Sequence, residues 1–250
     1  MQQYFINTNF EKNAKIELNK EQAHHVAHVM RMKEGTRIRL ANLIGQLFYA
    51  SIGYEDGGKK VFAQVLEEIV DNTKTRVKIT LLQGMIKGEK WDYLLQKSAE
   101  LGVSQIVPFV SSRSVVKSKE EKIDKKMIRW NKILQEACEQ CKRSTLVDLK
   151  EPVSFEELIT YRSELNIIAY EDADTLSESL SRILCTHRNI TSVSIVVGCE
   201  GGFSKEEVAY LQGEGFLSVS LGARILRAET AALALTNSIV FYYDMMEEER

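Results

Sequence analysis

Proline is nearly absent, at 2 of 250 residues, and no stretch approaches the roughly 20 apolar residues a membrane-spanning helix needs. With 14 glycines and no biased tract, collagen-like, low-complexity and fully disordered classes are excluded. The opening MQQYFINTNFEKNAKIELNK lacks an apolar signal core, and the 4 cysteines have no secretory context, so a cytoplasmic protein with reduced thiols is expected. Neither G-x-G-x-x-G nor GK[ST] occurs, which argues against dinucleotide and P-loop chemistry. Internal repeats are missing too. What remains is ordinary globular composition, 44% apolar and 27% charged, in a length that fits one large domain or two modest ones.

Charge is distributed unevenly. Residues 1–72 balance 9 basic with 9 acidic groups, 73–150 carry 17 against 9, and 151–250 carry 7 against 17. Such separation suits a positive face turned to a polyanion, although a solvated lysine-rich helix gives the same pattern.

The pattern of apolar residues divides the chain near residue 72. In the first part, residues 37–70 alternate apolar and polar with turn signals at Gly45 and Asp56-Gly57-Gly58. A helix from Lys20 is expected to end near Gly35, and the whole reads as a small β-barrel over 1–72. From 73 to 250 the chain alternates strands and helices, which predicts an α/β layer with a mostly parallel sheet. Strands are expected in VKITLLQGMI, VSQIVPFVSS, LNIIAYE, SVSIVVG and LSVSLG. Helices are expected in KWDYLLQKSAELG, 121–142, SFEELITYRSEL, SKEEVAYLQGEG and from about Glu229 to Met246. In the 121–142 helix, Ile123, Met127, Trp130, Leu134, Ala137 and Cys141 form one stripe, opposite Lys125, Arg129 and Lys132. The last helix is apolar nearly all round, which implies burial in a core or against another subunit.

Two loops carry the chemistry. In VVGCEGGFSKEEV (196–208) a strand runs into glycines, and Ser204 with Glu207 makes a capping box. Glycines at a strand's carboxyl end allow close approach of a ligand, although a tight turn alone also explains them. In SLGARILRAETAALAL (220–235), Gly222 and a basic loop with Arg224 and Arg227 precede Glu229 at a helix start. Taken singly, Glu229 complements the helix dipole and Arg227 pairs with it. Two such loops in one sheet converge on one crevice. Cys138-x-x-Cys141 lacks a second ligand pair, and His24 and His28 lack a third ligand, so no metal is expected.

GCEGGFSKEEV, LGARILRAETA, EACEQCKR and KGEKWDYLLQKSAELGV, in that combination, resemble the RsmE family across essentially the whole chain. The resemblance implies a SPOUT-type α/β methyltransferase domain with a C-terminal trefoil knot at 73–250, after a small PUA-like β-barrel at 1–72. It implies an S-adenosyl-L-methionine-dependent enzyme that methylates N3 of one uridine in 16S ribosomal RNA, within the small ribosomal subunit, as a homodimer. Another SPOUT methyltransferase acting on a different base or ribose, or a noncatalytic RNA binder with this fold, are the rivals. The chain departs from the family's usual residues at Cys199, Ala223 and Ala228.

Carried onto this sequence, the resemblance places the cofactor against Gly198, Glu200, Gly201, Leu221, Gly222, Ile225 and Leu226, with Ala169, Tyr170 and Glu171 as a third wall. It places RNA against Arg31, Arg113 and Arg143, and Lys87 and Lys90, which flank Gly88 at a strand-to-helix junction where an anion is favoured, are expected to join them. For the reaction, Arg227 is expected to stabilise charge on the uracil oxygens and Glu229 to accept or organise the N3 proton.

Overall fold

The computed structural model describes residues 1–114, 123–170 and 178–246, which separate into two compact units. The first holds Met1–Lys74 and Cys138–Leu146. The second holds Thr75–Ala137 and the chain from Val147 onward.

In the first unit, strands β1 (Gln3–Phe5), β2 (Lys15–Glu17), β3 (Arg37–Ala41), β4 (Leu47–Glu55) and β5 (Lys60–Ile69) form a sheet in the order β1-β3-β4-β5-β2. The long central hairpins follow from period-2 alternation, and Gly45 at φ 77° turns the chain between β3 and β4. The short helix α1 (Lys20–His24) opens on an Asn19–Gln22 capping box. It continues as a π turn, His25–Val29, and stops at Met30, not near Gly35. Arg31 supplies the stop. It takes the left-handed conformation at φ 49°, and the Met32 N–H reaches back to the Val26 carbonyl. Gly35, also left-handed, instead turns the chain into β3 and donates to the Ile52 carbonyl.

The second unit is an α/β sandwich. Its elements in chain order are β6 (Lys78–Gly84), α2 (Glu89–Glu100), β7 (Gln105–Val110), α3 (Ile123–Gln140), β8 (Asp148–Leu149), β9 (Val153–Ser154), β10 (Leu165–Ala169), β11 (Glu178–Ser179), α4 (Leu180–Thr186), β12 (Ser192–Val197), α5 (Lys205–Gly213), β13 (Leu217–Ser220) and α6 (Ala228–Val240). The strands are all parallel, in the order β11-β13-β10-β12-β6-β7-β8, with β9 against β7. The register aligns Ile168, Val196, Leu82 and Val107 in one row, and these pack under α5 with Val208, Leu211 and Phe216. Their neighbours Ile167, Ile195, Leu81 and Ile106 point the other way, because successive side chains alternate across a strand. Helix α6 packs against α2, β12 and β6. Burial on both faces explains why these strands read as continuous apolar runs.

Two expected helices differ from their sequence reading. SFEELITYRSEL forms a 3-10 turn, Glu156–Tyr161, in which Phe155, Leu158 and Tyr161 dock on the core at the three-residue spacing that eclipses in that geometry. The last helix begins at Ala228 and loosens after Val240 into a π turn, Phe241–Met245. On α3, Trp130, Leu134 and Ala137 are buried, while Lys125, Arg129 and Lys132 are exposed as the stripe requires.

Gly213, the last residue of α5, has open space where a Cβ would stand. Gly213→Ala is therefore expected to stabilise the second unit by about 0.5–1 kcal/mol, since alanine loses less backbone freedom on folding. A thermal melt shifted up by about 1–4 °C would show it.

Candidate active site

Parallel strands end together, so the loops after β6, β7, β10, β12 and β13 gather at one sheet edge, the edge where such sheets bind ligands. After β12, Gly198–Gly202 folds tightly, with the Gly202 N–H on the Cys199 carbonyl at 2.9 Å and Gly202 at φ 65°. This loop is held from two sides. From β6, the buried Gln83 donates through Nε2 to the carbonyls of Gly84 (3.0 Å) and Gly198 (3.1 Å), and a longer contact reaches Val197. From β7, Arg113 Nη1 donates to the Gly201 carbonyl at 3.2 Å, and the Cys199 thiol points at the Arg113 carbonyl at 3.3 Å. The Lys87 N–H donates to Glu200 Oε1 at 3.1 Å.

Glu207 ties the two loops together. Its Oε1 accepts from the backbone N–H and hydroxyl of Ser112, both at 2.9 Å, and its Oε2 accepts from the Ser204 N–H at 2.9 Å. The capping box expected at Ser204 and Glu207 is present, and Glu207 is buried because it also anchors the β7 loop. Beside it, hydrogen bonds from the Ser204 side chain and from its own backbone N–H hold the Glu206 carboxyl below the usual range.

Across from the glycine loop stands the start of α6. A cleft of about 220 Å³ is lined on one side by Val197, Gly198, Cys199, Glu200 and Gly202. Its other side is Ile225 through Glu229 with Ala231, and Lys90 of α2 joins the lining. Glu229 is the titratable group turned inward, its side chain only 13% exposed. Its Oε1 lies 3.9 Å from the Lys90 ammonium, and its buried Oε2 has no hydrogen-bond partner among the described residues. Arg227, exposed, is the N-cap residue of α6.

The structure thus brings Gly198, Glu200, Ile225, Leu226, Arg227, Glu229 and Lys90 into one cleft. Gly201 sits in the same loop under Arg113. Leu221 and Gly222 line a wider, more open cleft of about 510 Å³ with Ser179–Ser181, Ala234 and Ser238. Ala169 ends β10 beside β13, Tyr170 follows with its N–H on the Val219 carbonyl, neither lines either cleft, and Glu171 lies outside the described residues. Among the expected RNA contacts, Arg31, Lys87 and Arg113 are exposed. Arg143 is only 9% exposed and its carbonyl accepts from Gln3 Nε2 at 2.6 Å, so it offers RNA little surface. Gln83, Gly84, Ser112 and the bridging role of Glu207 escaped the sequence reading. The one visible trace was a polar glutamine inside the apolar run LLQG.

Comparison with known proteins agrees in both units. A family described as RNA methyltransferase domain matches residues 73–240, and one described as RNA methyltransferase PUA domain matches residues 18–66. Ribosomal RNA small subunit methyltransferase E of Bacillus subtilis is 33% identical over the full length of both chains. Among solved structures, a putative methyltransferase from Legionella pneumophila with bound S-adenosylmethionine superposes with a TM-score of 0.85 at 34% identity, covering 96% of each chain. Ribosomal RNA small subunit methyltransferase E from Neisseria gonorrhoeae, bound to S-adenosylmethionine, gives 0.86 at 27% identity, again over 96% of each chain.

Proposed function

Because the chain belongs to the family of ribosomal RNA small subunit methyltransferase E, we propose that it methylates N3 of a uridine in 16S ribosomal RNA with S-adenosylmethionine as methyl donor. The observation that carries this reading is the cleft in which the glycine loop after β12 faces Arg227 and the inward-turned Glu229.

The residues present suit the cofactor. Gly202 and Gly222 have open space where a Cβ would stand, so the backbone can be approached closely at one point of each loop. Ile225, Leu226 and Ala228 give the cleft an apolar wall, while Glu200 and Glu229 place carboxylates where a cationic ligand would sit. S-adenosylmethionine, when bound, supplies an electrophilic methyl group on a sulfonium centre. The protein's own work is to hold the uridine in line with that methyl, worth about 7–11 kcal/mol of barrier in well-oriented systems. It must also remove the N3 proton and stabilise the charge left on the ring. Glu229 takes the proton and Arg227 faces the carbonyl oxygens.

RNA is held on the exposed Arg31, Lys87 and Arg113 and along the exposed basic face of α3. A splayed, single-stranded uridine is the target, since base edges in an A-form duplex are hard to reach. A trefoil knot belongs to the same reading: β13 lies outside β10, yet α6 returns to pack on β12 and β6. So does a homodimer, for which Phe241, Met245 and Met246 expose an apolar end at the C-terminal turn. A cytoplasmic location fits a ribosomal substrate.

Two measurements test this. Calorimetric titration with S-adenosylmethionine is expected to show micromolar binding, and the methylated small-subunit RNA, digested to nucleosides, is expected to yield N3-methyluridine. A different methylated nucleoside would assign another base or ribose to the site. Absence of cofactor binding would leave a noncatalytic RNA binder.

A further inference from the structure

The geometry points to Lys90 as a second catalytic cation of this cleft, one that neutralises Glu229 before reaction and the uracil ring during it. The inference rests on the proposed function and adds a residue to the reacting centre, where the sequence had suggested only an RNA contact.

Lys90 is the second residue of α2. The chain leaves β6, turns at Gly88 with φ 61°, and starts α2 beside the start of α6, against which α2 packs. That places the Lys90 ammonium 3.9 Å from Glu229 Oε1, on the same cleft as Gly198 and Arg227. Lys87, three residues earlier, lines no part of this cleft. The lysine side chain is 41% exposed and the glutamate side chain 13%, so the pair is open to the cleft at the lysine end.

The charge balance then follows. Before reaction the ammonium faces a carboxylate and the pair is neutral. When N3 gives its proton to the Glu229 carboxylate, the N3–H electron pair remains on the ring and spreads over the two carbonyl oxygens that flank N3. Glu229 is then neutral, and the Lys90 charge is released to the new anion beside it. The ammonium thus faces the carboxylate before proton transfer and the ring anion after it, and once N3 is methylated, loss of the Glu229 proton to solvent restores the pair. Preorganised cations aimed at developing charge are worth the most in such places. An exposed ion pair with a purely structural role is worth about 1 kcal/mol or less.

The test compares Lys90→Met and Lys90→Arg with the wild-type protein, first confirming by melting and by S-adenosylmethionine titration that both variants fold and bind cofactor. Single-turnover methylation at saturating RNA and cofactor, RNA affinity, and its salt dependence are then measured. Lys90→Met is expected to lower turnover about 100-fold, a typical cost for one charge-stabilising donor. RNA affinity and the salt slope should not change, and Lys90→Arg should recover part of the rate. Turnover that holds while RNA affinity drops and the salt slope shrinks by about one unit would make Lys90 a phosphate contact and overturn the inference. Unchanged turnover with unchanged affinity would overturn it as well, leaving a structural ion pair. A wild-type protein that produces no N3-methyluridine would sink the proposed function itself, which is a separate result.

Discussion

Glu229→Gln is expected to lower methyl transfer about 100- to 1,000-fold near neutral pH at saturating S-adenosylmethionine. Glutamine keeps the shape of the side chain and one acceptor oxygen, but it cannot take up a proton. Glu229 lines the cleft across from the glycine loop, which suits its carboxylate to receive the N3 proton. In the variant only uridine that solvent has already ionised can react. Its rate is therefore expected to climb about tenfold per pH unit between about pH 6 and about pH 9, since N3 titrates well above neutral. The wild-type protein carries its own acceptor and should rise far less. Single-turnover rates across that window decide the matter. A deficit that stays constant with pH would give Glu229 a structural role at the positive end of α6. Near wild-type rates throughout would remove the proton-acceptor role.

The sequence carried the fold where periodicity had room to show itself. Residues 37–69 alternate for long enough to announce two hairpins, and the runs at 78–84, 192–197 and 217–220 are apolar enough to announce a buried parallel sheet. Strands Gln3–Phe5 and Lys15–Glu17 were invisible because three residues cannot establish a period, and their pairing depends on β3 and β5 far along the chain. Arg31 misled the helix boundary, because a non-glycine residue holds the left-handed stop position.

The site was legible in its glycines and caps, which are local signals, and much less so in its partners, which are not. Ser204 and Glu207 could be read as a capping box from four consecutive residues, but the bond to Ser112 crosses 95 positions. Lys90 and Glu229 lie on different helices and meet only because α2 packs on α6. Loop assignments therefore came from sequence, while the tertiary contacts that orient each side chain had to be seen.

Gly84→Ala is expected to weaken S-adenosylmethionine binding at least about tenfold and to lower stability by about 1–3 kcal/mol, the usual range for overpacking. Strand β6 ends at Gly84, and a Cβ built there would stand 2.4 Å from the Cys199 nitrogen and 2.8 Å from the Gly198 carbonyl carbon. Both atoms are backbone, so neither can rotate aside. Gln83 fixes the approach by donating to the Gly198 carbonyl, which pulls the loop onto the strand end. Alanine in a strand is ordinarily favoured over glycine by about 0.5–1 kcal/mol, so a net loss isolates the steric push. That push falls on Gly198 and Cys199, which line the cleft, and affinity and stability should therefore drop together. Gly213→Ala provides the matched comparison, with the same added methyl in open space. Calorimetry with S-adenosylmethionine and thermal melts of both variants make the measurement. A lower melting point with normal binding would show that the loop yields without disturbing the cleft, and the contact would then be packing alone. Wild-type values for both would mean that β6 does not set the shape of the loop, and Arg113 and Glu207, acting from the β7 side, would be left to hold it.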